Sequence, residues 1–162
     1  RAGMRAGTHP HEPLEVRRPF QSWSIAIPAA FDETFIRDGR SWHARDASRS
    51  ISLTSITVFD GARPVSSREL LGQLPRIDGV PVVDLPGRLQ GWAAEIVSEP
   101  SAIATHAISA VLVTNGRVLL VTITSDDLAW AHAVFATIRS HPAPARPHGE
   151  PTRQVAHRRD AS

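Results

Sequence analysis

The chain has no cysteine, no lysine and no tyrosine, and a single asparagine, Asn115. Without cysteine there can be no disulfide, no thiolate nucleophile and no thiolate metal site. The 162 residues must then be held by an apolar core, and this length suits one domain rather than two. Without lysine, all 18 basic residues are arginine. Arg, Ala, Gly and Pro are read from GC-rich codons, whereas Lys, Tyr and Asn are not. The bias therefore reads as that of a GC-rich bacterial genome rather than as selection for arginine chemistry. It also explains a pI near 10.8 at a net charge of only +2, because only arginine titrates at high pH.

Long apolar runs are missing too. Ile108–Val113 and Val118–Ile123 are strand-length, far short of the roughly 18 residues of a spanning helix, so no membrane association is expected. Arg1–Arg18 has neither the apolar stretch nor the small-residue cleavage site of a signal peptide. A cytoplasmic location is the expectation, with secretion left open because residue 1 is Arg rather than Met. The catalytic signatures G-x-S-x-G, G-x-G-x-x-G, the P-loop and H-E-x-x-H are all absent. No catalytic set, metal or cofactor is expected.

A hydrophobic share of 41% is nonetheless enough for a globular core. Charge divides the chain into three. From Phe20 to His141 there are ten Arg and twelve acids, a net −2, so the remaining +4 lies in the ends. A nucleic-acid domain carries its positive charge on the folded face, and this charge distribution argues against one. Residues 1–19 and 142–162, rich in Pro, His and Arg, read as disordered tails around one domain over residues 20–141.

Within that domain the periodicity is mostly that of strands. Ser22–Pro28 alternates, with Trp23, Ile25 and Ile27 on one face. Phe31–Phe35 reads as a turn or short helical piece before Asp38-Gly39. Strands follow at Arg40–Arg45 and Ser50–Phe59, the second with a phase shift that predicts a bulge near Thr54–Ser55. Ser66–Leu74 reads as a helix capped by Ser66 or Ser67, and Val80–Leu85 as an edge strand. Leu89–Val97, Thr105–Thr114 and Arg117–Thr124 are three successive strands, the last two joined by Asn115-Gly116. A closing helix is expected over Asp126–Ser140, capped by Thr124 or Ser125, with Leu128, Ala131, Phe135 and Ile138 in one stripe. Strands, a helix, a meander and a last helix make an α+β fold, an antiparallel sheet of about six strands packed against helices.

The closing segment VLVTNGRVLLVTITSDDLAWAHAVFATIRS and the opening SWSIAIPAAF resemble the PsbP-like superfamily, which includes a photosystem extrinsic subunit and a Ran-binding import factor. Gly87 or Gly91, Asn115-Gly116, Ile123–Ser125 and Ile138–Ser140 stand at the matching places, and the likeness spans Phe20–His141. It implies the PsbP-like α/β sandwich. The family has no shared catalytic set, so the resemblance transfers none, and the acidic Ran-binding surface has no counterpart here.

Four residues stand out as candidates for a ligand or partner. Trp42, between Arg40 and Arg45 and beside His43, reads as a surface aromatic or as one partner of an internal cation–π contact. His106 shares parity with Ile108, Ala110 and Leu112 and is expected to point inward at a sheet end. Trp130 lies off the helix stripe: either the helix is broadly buried, or Trp130 and Val134 form an exposed patch. His132 reads as a boundary histidine, Asp126-Asp127 as caps, and Trp23 and Trp92 as core. His9, His11 and Arg158-Arg159 read as solvated tail residues.

The reading that follows is a non-enzymatic protein-binding or assembly module, one form of which is a homodimer through a sheet edge or Trp130. The alternative is a small-ligand-binding protein or enzyme with a cavity between sheet and helix, lined by His43, His106 or Trp42. A third is weak nucleic-acid binding through the basic tails.

Overall fold

Alternation of apolar and polar residues carries most of the chain into strands. The computed structural model describes residues 12–36, 39–74, 82–87, 89–98 and 105–142. The first half contributes β1 (Leu14–Phe20), β2 (Trp23–Pro28), β3 (Asp32–Ile36), β4 (Ser41–Arg45) and β5 (Ser50–Thr57). A two-residue pair, β6 (Phe59–Asp60) and β7 (Arg63–Pro64), leads to α1 (Ser67–Gln73). Then come β8 (Val82–Leu85), β9 (Leu89–Ser98), β10 (Thr105–Thr114) and β11 (Arg117–Ser125). Helix α2 (Leu128–Phe135) and β12 (Arg139–Ser140) close the described chain.

Seven strands form one antiparallel sheet in the order β3-β4-β5-β11-β10-β9-β8, and a second sheet has the order β1-β2-β12. The expected α+β class holds. The cover over the large sheet is mixed, however: α2 packs on β10, β11 and β2, and the small sheet supplies the rest. Trp23, Ile25 and Ile27 of β2 join Ile51, Leu53, Ile108, Leu112, Leu119, Ile123, Phe135 and Ile138 in one core. Each such side chain contributes about 1.5–3 kcal/mol when fully buried. The Trp23 indole N–H donates across the sandwich to Ser55 Oγ at 3.2 Å.

Register explains why the inner face is apolar only in its middle. One inner rung reads Glu33, Ala44, Ile51, Ile123, Ile108, Glu95 across six strands. The acids at its two ends are each paired with the covering layer, Glu33 with Arg17 of β1 at 3.2 Å and Glu95 with His132 of α2 at 2.6 Å. At Gly91 on β9 a Cβ would run into the Val111 carbonyl of β10, so only glycine allows that pair of strands to close.

On the opposite face, α1 and the β6–β7 pair seal one end over a smaller cluster of Val65, Leu70, Val113 and Val118. The α1 N-terminus carries a full capping box, Ser66 Oγ accepting from Glu69 N and Glu69 accepting from Ser66 N. Gly116, at φ +69°, turns the β10–β11 hairpin. Its N–H donates to Val65 O and its carbonyl accepts from Val58 N, tying the hairpin to the β6–β7 segment.

Several local expectations are corrected. Phe31–Phe35 is largely strand, because β3 finds a partner in β4 over five residue pairs. The lead-in expected over residues 1–19 includes most of β1: its apolar residues have no clean period, and pairing with β2 holds it. The bulge expected at Thr54–Ser55 is absent, since β5 runs in unbroken register with β4 and β11. The apparent phase shift arises because Ile51 and Leu53 face the core while Ile56 faces out; the register break lies instead in β1, between Arg17 and Phe20. The closing helix is shorter than Asp126–Ser140. Thr137 Oγ1 donates to Val134 O and accepts from Ala26 N, which draws the chain into β12 beside β2. Its N-cap is Asp127, accepting from the Ala129 and Trp130 N–H groups, not Thr124 or Ser125. Trp92, expected in the core, is half-buried on the outer face, opposite Val111.

Candidate functional site

Adjacent residues of a strand point to opposite faces, and this separates the candidates. Trp42 sits on the inner face between Phe35 and Leu53 and is 0% exposed, so it is no surface aromatic. His43 lies on the outer face, half-buried, with Nε2 at 3.1 Å from Ser52 Oγ. The two cannot line one cavity. His106 faces inward at the far end of β10, paired with Ser125 of β11, as its parity suggested. Its Nδ1 is buried with no hydrogen-bond partner among the described residues.

Trp130 is half-buried and packs against the core rather than standing as a free patch. Its ring lies 5.9 Å from that of Phe31, and the Arg49 guanidinium covers both rings at 4.7 and 5.1 Å. Arg49 is also forked by Asp46 at 2.6 Å and Glu12 at 2.7 Å. The Glu12 hydrogen bond, aided by Asp46, holds the guanidinium above its usual range against the opposing effect of burial. Burial pushes the Asp46 carboxyl up. The Arg49 side chain and the Ser48 and Arg49 backbone N–H groups outweigh it and hold that carboxyl below its usual range. With both carboxylates sharing the one guanidinium and both rings beneath it, this corner fastens the structure. Sequence reasoning missed it, because nothing in the spacing of residues 12, 31, 49 and 130 points to a cluster.

Among the described residues, the surface left uncovered is the outer face of the seven-stranded sheet away from α1. Its middle rung reads Thr34, His43, Ser52, Thr122, Ser109, Ala94. The next rung toward α1 reads Ile36, Ser41, Thr54, Leu120, Val111, Trp92, with Ser41 and Thr54 hydroxyls 2.8 Å apart. Ile36 and Leu120 are exposed aliphatics in that rung, and Ile56 and Ile96 are exposed in the rungs that flank the pair. The His43–Ser52 pair has the elements of a base and a nucleophile. Yet Ser52 lies mid-sheet between β4 and β11, where the neighbouring backbone N–H groups serve the ladders. No free N–H pair is then available for an oxyanion, which acyl transfer needs.

Among the described residues no group of three or more His, Asp or Glu side chains could hold a metal ion, and no helix is long and apolar enough to cross a membrane. His9, His11 and the Arg158-Arg159 tail lie outside the described residues.

No protein-family model and no curated protein matches the sequence. Solved structures do. Cyanobacterial PsbP (CyanoP) from Synechocystis sp. PCC 6803 superimposes with a TM-score of 0.54 at 9% identity, over 85% of this chain and 98% of that one. The fold is PsbP-like. A crystal structure from Bacteroides thetaiotaomicron VPI-5482 matches with a TM-score of 0.54 at 12% identity. That likeness covers 74% of this chain and 45% of the other, so the chain spans less than half of that protein's length. At such identities the PsbP-like likeness concerns the fold alone.

Proposed function

We propose that this chain is a non-enzymatic protein-binding or assembly module that works through the open face of its large sheet. The observation that carries the reading is this outer face, uncovered among the described residues, on which hydroxyl side chains lie beside the exposed aliphatics Ile36 and Leu120, with Ile56 and Ile96 exposed in the two flanking rungs. Such a mixture is typical of non-obligate interfaces, which are about as apolar as the rest of a protein surface. Ser52→Arg with Thr122→Arg places two charges on neighbouring strands in the middle rung without touching the core. The full chain and this double variant would be compared for proteins that co-purify from the source organism. Loss of a partner with an unchanged melting temperature supports the reading. Retention of every partner by the variant overturns it.

A second reading, a small polar ligand held between sheet and cover, draws on one observation. Trp42 Nε1, Trp130 Nε1 and His106 Nδ1 are buried without partners among the described residues. Such groups are costly unless something satisfies them. Native mass spectrometry of the purified full chain tests it, and an unliganded mass counts against it.

A further inference from the structure

The strand edges of this fold are not alike. Unpaired edges template association, and proteins blunt them with prolines, bulges, short strands and charge. β8 has four residues and lies between Pro81 and Pro86 in the sequence. β1 has a register break and contains Pro19 beside Arg17 and Arg18. β12 has two residues. β3, the other outer strand of the large sheet, has five residues in unbroken register with β4 and no proline. All five are exposed, Phe35 by 56% and Ile36 by 40%. One of its two acids, Glu33, is already paired with Arg17.

The charge pattern along β3 says what fits it. Asp32 and Glu33 occupy its first half, Phe35 and Ile36 its second, with Thr34 between. A second copy running antiparallel about Thr34 sets Asp32 opposite Ile36 and Glu33 opposite Phe35, so no acid faces another. Like charges directly opposite would destabilise the pair. A register centred on Glu33 would oppose the two Glu33 carboxylates, and one centred on Phe35 would leave Asp32 outside the overlap. About Thr34, the two Phe35 rings become diagonal neighbours on one face, about 7–8 Å apart and within aromatic reach.

We infer that β3 pairs with β3 of a second copy of this chain, antiparallel and centred on Thr34, to continue the seven-stranded sheet across a two-fold axis. The inference rests on the reading of the chain as a binding or assembly module and names one partner for it. A single strand pair buries little surface, so the dimer is a transient one, populated at concentrations of order 100 µM.

Absence of native cysteine makes position 34 a clean reporter. Full-length Thr34→Cys is expected to form a disulfide-linked dimer on mild oxidation. A mixture of Asp32→Cys and Ile36→Cys chains should cross-link, whereas Asp32→Cys alone should not. In sedimentation equilibrium at that concentration the wild-type weight-average mass should lie clearly above the monomer mass and rise with loading. Thr34→Glu and Thr34→Lys should each stay monomeric, and mixing them should restore the dimer, a rescue that a folding defect would not produce. A wild-type monomer at that concentration, or a dimer unmoved by Thr34→Glu, overturns the pairing. Either result leaves the open-face reading to stand or fall on the Ser52→Arg, Thr122→Arg comparison, so the two failures are distinguishable.

Discussion

The two faces of the seven-stranded sheet are built from the same strands, one residue out of phase, and have opposite fates. The inner face carries Trp42, Leu53, Val121 and Ala110 in one rung and Ala44, Ile51, Ile123 and Ile108 in the next, all buried beneath the small sheet and α2. The outer face alternates with it and carries His43, Ser52, Thr122 and Ser109. An antiparallel sheet tolerates this asymmetry, because its open face needs only polar side chains to remain in water. The lesson is that the inner face accounts for most of the buried core, while the outer face away from α1 is free of that role.

Substitutions that cross this divide should separate the two roles. The largest effect is expected at Gly91→Val, where the added side chain meets the Val111 carbonyl of the adjacent strand. Loss of the cooperative thermal transition is the expected result. Next comes a comparison of neighbours. Trp42→Ala should cost about 3–5 kcal/mol in urea unfolding, whereas His43→Ala, one residue away on the open face, should cost less than about 1 kcal/mol. Equal losses would contradict the assignment of faces.

A smaller effect belongs to the corner where the sheet end meets α2. Arg49→Met removes contacts with Asp46, Glu12, Phe31 and Trp130 and should cost about 1–2 kcal/mol at neutral pH. The carboxyl of Asp46 is held below its ordinary value of 3.8. Its contribution is therefore present above that value and is lost as pH falls through the lowered one. Arg49→Met should flatten the acid limb of the stability profile. The smallest change is expected for Ser52→Arg with Thr122→Arg, within about 0.5 kcal/mol of wild type per site; a large loss would mean that the outer face is covered.

Much of this arrangement is legible from residue order. Asn115-Gly116 marks its hairpin, Ser66 and Glu69 mark the capped start of α1, and the alternation in Ser22–Pro28 identifies the inward face of β2. Other features are not local. Trp42 looks exposed beside Arg40, His43 and Arg45, and only the register with Leu53 places it in the core. Nothing near β1 announces a strand, because its stabilising partners, β2 and Glu33, lie elsewhere in the chain. The candidate surface is harder still to find, since a row made of residues 34, 43, 52, 122, 109 and 94 has no period in the sequence.

By itself, the sequence determined the class of fold, the positions of most strands and the dependence on an apolar core without disulfides. Those properties follow from local periodicity, turn chemistry and composition. Tertiary structure alone decided that a second sheet shares the cover with α2, that Trp42 and His43 part to opposite faces, and that Arg49 closes over Phe31 and Trp130. Each depends on register and contact between residues distant in the chain, and the free energy of such contacts leaves no mark on the neighbouring residues.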